Sequence, residues 1–384
     1  MNVSVQLLLA TLFLVGTITT GVSAEKQTSD AAFERQVADY IKKFPYQETY
    51  KVAMDYTKGD PAKFNTWALG AEPALVKAGE DKVVRMNNDT YYKLAFVDLG
   101  KGPAILSSKN PSKARFSSFQ LMDDRNVNFR NLIHPDGVFT MYHGATPEGL
   151  RGKAIESPSR WVAIIVRVEV KDKNNAKDVA AAKAVFNGIG LEAPKLDKAP
   201  RLDLLSGFDK KVAKEALRRI DETFTSTPIR ELVAGPEDVP RKVSYLQLAA
   251  GTKGAWGGPV TSHSAYETLF TDKNGKKMLG KNGTYTITTK APQVDAFWSL
   301  TVYDTERGGY FHPNKQNKYH INNTTAVKNK DGTVTFLFKQ KCEPGDVNCL
   351  EVPAGQFDIT ARYYLPSRDV RSGKWTIAKP VLEK

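Results

Sequence analysis

The chain has 384 residues, with 55 Lys plus Arg against 42 Asp plus Glu, a formal net charge of +13. Hydrophobic residues make up 41% and charged residues 25%, which is ordinary globular usage and excludes a largely disordered chain, a coiled coil or a fibrous repeat. The single long apolar stretch lies at the N-terminus, which excludes a multi-span membrane protein.

Residues 1–24 carry no charged side chain. An apolar run from Val5 to Val15 is followed by Val22-Ser23-Ala24. Small residues at −3 and −1 after a short apolar core read as a cleavable secretory signal, with the cut between Ala24 and Glu25. An uncleaved anchor is the alternative. The reading places the protein in a secreted or periplasmic setting, with no transmembrane segment after cleavage. The cysteines, Cys342 and Cys349, then read as a small-loop disulfide. The positive charge suits acidic partners such as an anionic glycan. Nucleic acid is not expected, because the chain shows no nucleic-acid-binding motif.

In chain order, a helix is expected over 30–44, with Phe33, Val37, Tyr40, Ile41 and Phe44 on one face and Pro45 ending it. Residues 46–80 are mixed, and strand signals then dominate to about 170. In the clearest strand, from 161 to 170, Val162, Ile164, Val166, Val168 and Val170 alternate with Arg167 and Glu169, the pattern of a half-buried strand. Helices are expected over 176–187, over 209–224 with Asp209 as N-cap, and over 228–234. From about 260 the pattern is strand after strand, with a hairpin signal at Lys330-Asp331-Gly332. The expected fold class is mainly β with a helical connector (α+β), built as two antiparallel sandwich or jelly-roll-like domains. The expected boundaries are 1–24 for the signal, 25–190 for the N-terminal domain, 191–255 for the connector and 256–384 for the C-terminal domain.

Two strings of residues resemble known families. Asn87-Asn88-Asp89-Thr90-Tyr91-Tyr92, Asp98-Leu99-Gly100-Lys101-Gly102-Pro103 and Arg115-Phe116 resemble the pattern of the DUF1254 domain. Phe297-Trp298-Ser299-Leu300-Thr301-Val302-Tyr303-Asp304, Pro313-Asn314, Tyr319, Asp331-Gly332, Asn348, Pro353-Ala354 and Arg362-Tyr363-Tyr364 resemble the DUF1214 domain. Cys349 stands where that pattern has Trp, Lys318 where it has Arg, and His312 is outside it. The resemblance implies two β-rich domains joined by a helical segment, as in exported bacterial proteins, and implies no activity.

The motif-bearing polar residues of both halves exceed what packing needs. They nominate a site between the domains, lined by Asn88, Asp89, Tyr92, Trp298, Asp304 and Arg362, for a small molecule or a glycan. A turn role for 87–90 and a core role for Trp298 are the competing readings. A hydrolase or lyase with Asp304 or His312 as general base is the alternative. A structural or assembly protein is the third reading. No GxSxG elbow, HExxH or P-loop is present. No metal site and no cofactor are expected, since His312 and His320 lack a supporting ligand spacing.

Overall fold

The computed structural model describes residues 19–80, 85–236 and 243–383, with side chains from residue 30. The apolar run 5–15 and Val83-Val84 lie outside the described residues. Helix α1 (Thr19–Thr57) continues past Pro45, where the sequence pattern ends it. A proline inside a helix costs about 3 kcal/mol. Packing on both sides of Pro45 offsets that cost. Before it, Val37, Tyr40, Ile41 and Phe44 enter one apolar cluster; after it, Ala53 enters a second, with Val52, Met54 and Tyr56 against it. Each large apolar side chain so buried contributes roughly 1.5–3 kcal/mol.

The N-terminal sandwich follows. Its strands are β1 (Trp67–Leu69), β2 (Thr90–Asp98), β3 (Ala104–Ser108), β4 (Ser117–Met122), β5 (Asn128–Ile133), β6 (Gly137–Tyr142), β7 (Lys153–Glu156) and β8 (Trp161–Glu169). Helix α2 (Ala176–Asn187), capped by Asn175, leads to β9 (Ile189–Glu192). A five-stranded sheet, β1-β2-β8-β4-β5, packs on a four-stranded one, β7-β6-β3-β9. The half-buried strand expected over 161–170 forms as β8, which is buried along both faces except at Trp161. Its valines enter the sandwich core, while Arg167 and Glu169, read as an outer face, are buried as well. The outer face of the five-stranded sheet is covered, and no alternation in one strand reveals that.

The connector holds α3 (Lys210–Ser226), capped by Asp209 as expected, and α4 (Tyr245–Ala255). Helix α4 carries a capping box, Ser244 with Gln247, a signal present in the sequence and passed over. The helix expected at 228–234 is only a 3-10 turn, Ile229–Glu231. Helices α1, α3 and α4 share one apolar cluster.

The C-terminal sandwich comprises β10 (Ser264–Leu269), β11 (Tyr285–Lys290), β12 (Trp298–Asp304), β13 (His320–Asn322), β14 (Thr333–Lys339), β15 (Cys349–Glu351) and β16 (Phe357–Tyr364). A short helix, α5 (Arg368–Ser372), and β17 (Val381–Leu382) end the chain. Sheet β10-β16-β12-β13 packs on sheet β15-β14-β11-β17. The turn at 330–332 forms, with Gly332 at φ +80°, but makes no hairpin: β14 pairs with β11 and β15. The Cys342–Cys349 disulfide forms, with Cα atoms 6.0 Å apart. Among the described residues no helix is long and apolar enough to cross a membrane.

Candidate functional site

In the N-terminal sandwich, α1 and Trp256 cover much of the outer face of the five-stranded sheet, through Leu94, Phe96, Met122, Ala163 and Ile165; its Arg167 end and the outer face of the β12–β16 sheet face each other across the two domains. In β12 the period of two turns Trp298, Leu300 and Val302 into the C-terminal core and leaves Ser299, Thr301 and Tyr303 on the other face. In β16 the same rule buries Phe357, Ile359, Ala361 and Tyr363 in that core and turns Asp358, Thr360, Arg362 and Tyr364 outward. In β8 it turns Arg167 outward, opposite Tyr92 of β2 and Ser118 of β4. These outward faces meet in a polar seam.

The register gives the seam a repeated row. In the N-terminal sheet, Tyr92, Arg167 and Ser118 stand side by side across β2, β8 and β4. In the C-terminal sheet, Tyr266, Arg362 and Ser299 stand side by side across β10, β16 and β12. The order of residue types is the same. Arg167 lies over the Tyr92 ring, 5.4 Å from its centroid, and Arg362 over the Tyr266 ring, 5.3 Å from its centroid. Tyr266 and Tyr364 lie within electrostatic reach of both guanidiniums. Arg167 is 6% exposed and Arg362 2%, whereas Tyr92 and Tyr266 are only partly buried.

Both arginines are held mostly by neutral acceptors. Arg362 donates to Thr301 Oγ1 at 3.0 Å, to Tyr303 Oη at 2.6 Å and to the Arg85 carbonyl at 2.8 Å. Arg167 donates to Gln120 Oε1 and, at 3.2 Å, to the Gly257 carbonyl. The Nε of each is buried without a hydrogen-bond partner. Gly257 closes this end with φ +72°, and a Cβ there would stand 2.7 Å from Ile165 Cδ1, so only glycine fits.

The turn before β2 reaches into the same seam. Asn87 Oδ1 accepts from the Asp89 amide at 2.6 Å, so the turn reading of 87–90 holds at that residue. Asn87 also donates to Tyr364 Oη, and Asn88 to the Val76 carbonyl. Asp89, fully buried, accepts from Ser299 Oγ at 2.5 Å. Its other oxygen lies 3.1 Å from His320 Nε2 without the alignment of a hydrogen bond. Burial holds the His320 imidazole below its ordinary value, against the pull of Asp89. Burial pushes the Tyr303 hydroxyl up, and that hydroxyl donates to the Met86 carbonyl at 2.5 Å. Arg85 pairs with Asp358 at 2.5 Å.

Of the nominated residues, the structure brings Asn87's neighbours Asn88 and Asp89, together with Tyr92 and Arg362, to the seam. It does not bring Trp298, which lies in the C-terminal core edge-on to Phe336. Asp304 sits at the end of β12, where it accepts from the Arg307 amide and lies 3.7 Å from His312 Nδ1. Burial lowers the His312 imidazole as well. The two histidines weighed as a ligand pair therefore belong to different carboxylates. Among the described residues no group of three His, Cys, Asp or Glu side chains is placed to hold a metal ion. Sequence reasoning missed Arg167, Ser299, Tyr266 and Tyr364 as site residues and weighed His320 only as a metal ligand. The alternation of Ser299, Thr301 and Tyr303 was the available signal, since three polar side chains on one face of a core strand need a covering partner.

The family model described as "Protein of unknown function (DUF1254)" matches residues 67–192, and "Protein of unknown function (DUF1214)" matches residues 263–368. No curated protein matches the chain. The fold is similar to a crystal structure of the VPA0106 protein from Vibrio parahaemolyticus, at 17% identity and TM-score 0.74, covering 92% of this chain and 100% of that one. An uncharacterised protein from Burkholderia cenocepacia matches at 14% identity over 94% of this chain and 98% of that one, with a TM-score of 0.47, a likeness too loose to argue from. The two family matches lie one on each sandwich and supply its facing sheet, so the chain is a two-domain protein, a DUF1254 domain followed by a DUF1214 domain.

Proposed function

We propose that this chain is an exported protein that binds a small molecule or glycan in the seam between its two sandwiches. The observation that supports it is the set of buried polar atoms left over there: Arg167 Nε, Arg362 Nε, Asp89 Oδ1, Thr90 Oγ1 and Ser264 Oγ lack hydrogen-bond partners. Buried polar atoms are normally satisfied, and leaving one unmade costs about 1–3 kcal/mol. A concentration of them on two facing sheets is costly as domain glue and useful as a binding surface. Tyr92 and Tyr266, both partly exposed, form the side from which a ligand enters. The signal-like residues 1–24 and the disulfide support export.

The test is thermal unfolding of the purified protein against metals, anionic glycans, lipids, neutral sugars and small acids. A ligand that binds only the folded state, at about 100 times its Kd, adds about 2.7 kcal/mol. The expected result is a saturable rise with one class, lost in Asp89→Ala. A flat response to every class, or a rise unchanged in Asp89→Ala, contradicts the reading.

The pairing of Asp304 with His312 favours a second reading, a hydrolase or lyase. An imidazole beside a carboxylate, with burial opposing its charged form, is suited to act as a general base. A pH–rate profile whose acid limb disappears in His312→Ala or Asp304→Ala supports it; full activity in both variants removes it.

A further inference from the structure

We infer that the ligand of the seam carries a carboxylate, received between the guanidiniums of Arg167 and Arg362. This rests on the interdomain-site reading and narrows it to a chemical class. Arginine keeps its charge at any pH a folded protein meets, and an uncompensated buried charge costs several kcal/mol. Yet neither guanidinium has a carboxylate oxygen within 4.0 Å among the described residues. Glu169, two residues along β8 from Arg167, is turned to the Phe116 amide at 3.0 Å. Asp358 is taken by Arg85 at 2.5 Å. Asp89 lies within electrostatic reach of Arg362 but bonds Ser299 and faces His320. Burial works against charging the His320 imidazole, which faces Asp89 and not the guanidiniums.

The two cross-strand rows thus face each other with two guanidiniums and one nearby acid. One negative charge balances them. The free Nε of each arginine supplies one directed donor, one for each oxygen of a carboxylate, while the terminal nitrogens stay on their protein acceptors. The rest of the ligand follows from the row. Tyr92 and Tyr266 stand next to the arginines on the more exposed side, so an apolar or aromatic body attached to the carboxylate lies against their rings. Small aromatic or aliphatic monocarboxylates fit this description; phosphate dianions and neutral sugars do not.

The experiment is thermal unfolding and calorimetric titration of the purified protein with sodium benzoate, sodium acetate, inorganic phosphate, benzyl alcohol and a neutral disaccharide, at constant ionic strength. Benzoate is expected to raise the midpoint saturably and acetate to do so more weakly, with no effect of benzyl alcohol. Arg167→Gln and Arg362→Gln are each expected to abolish the benzoate response. If a glutamine variant fails to fold, Arg167→Lys and Arg362→Lys keep the charge without the fork and are expected to weaken benzoate by about tenfold or more. Benzoate binding unchanged in these variants overturns the inference. So does a response to phosphate alone. A response to the disaccharide but to no carboxylate overturns the inference and leaves the interdomain-site reading standing. No response to any compound removes both.

Discussion

The interior of the C-terminal sandwich and the seam it forms with the N-terminal one are built by opposite faces of the same strands. Inward, Trp298, Leu300, Val302, Ile359 and Ala361 make an apolar core. Outward, Ser299, Thr301, Tyr303, Thr360 and Arg362 are buried to the same degree and are polar throughout. A core stabilises through area removed from water. The seam keeps part of that gain, where Phe116 packs on Phe297 and Tyr364 and where Met86 and Val76 pack on Tyr303 and Phe311, but elsewhere it is polar and leaves several donors and acceptors unmet. Burial alone therefore does not mark the seam as structural: an interface selected only to hold two domains together has no use for two buried guanidiniums short of counter-charge.

Substitutions separate the two regions, the largest effect first. Phe336 packs edge-on against Trp298 at 5.9 Å and is buried. Phe336→Ala is expected to cost about 3–5 kcal/mol in denaturant unfolding and to leave ligand response intact once folded. Loss of response at equal folding contradicts the separation. Next is the Cys342–Cys349 bridge, which closes a short loop. Cys342→Ser with Cys349→Ser is expected to cost about 2–3 kcal/mol, again without effect on binding. Asp89→Ala leaves the Ser299 hydroxyl without its acceptor. It is expected to cost only about 1–3 kcal/mol yet to abolish binding. A cost without loss of binding contradicts the ligand reading of the seam.

Two titrations sharpen the comparison further, and their signs are opposite. His320 is buried, and its burial lowers it from the ordinary 6.5. Below that value the unfolded chain takes up a proton that the folded chain refuses. Its contribution to stability is therefore full above about pH 6.5 and falls as the pH drops towards the folded value. His320→Gln is expected to flatten that limb of stability against pH. Asp124, away from the seam, is raised by burial and by Asp123 to about 6. The folded chain therefore holds a proton that the unfolded one has lost, and stability rises as the pH falls from about 6 to 3.8. Asp124→Asn is expected to stabilise the protein at pH 7 and to lose that gain below about pH 4. Equal slopes in the variants and the parent contradict both assignments.

Much of the fold was legible. The strand series, α2 with its end at Gly188, α3 with its Asp209 cap and the disulfide follow from periodicity, capping chemistry and cysteine count. Three features were not legible, for physical reasons. Helix α1 passes Pro45 because distant segments pack on both of its halves. The turn at 330–332 is a true turn whose preceding segment, short of a strand partner, makes no hairpin. Arg167 and Glu169 have the spacing of a solvent face; Arg167 is covered by Gly257 and the tyrosines of the second domain, and Glu169 is turned in to the Phe116 amide. The site shows the same limit. Asp89 and Arg362 stood out because their motifs did, but the register that sets Tyr92 beside Arg167 and Tyr266 beside Arg362 exists only once the sheets are paired. Trp298 stood out equally and is core, since alternation decides its side and β12 gives that side to the sandwich.

Hydrogen–deuterium exchange shows whether a ligand seats in the seam and not elsewhere. The protein is compared with and without saturating benzoate, or with whichever compound stabilises it. The expected result is slowed exchange in segment 256–269, which covers Arg167 and contains the edge strand β10, and in β13, with the strands of the β11 and β14 sheet unchanged. Slowed exchange confined to the groove beside α2, where Lys109, Ser112 and Lys171 lie, with the seam unaffected, contradicts a ligand seat in the seam.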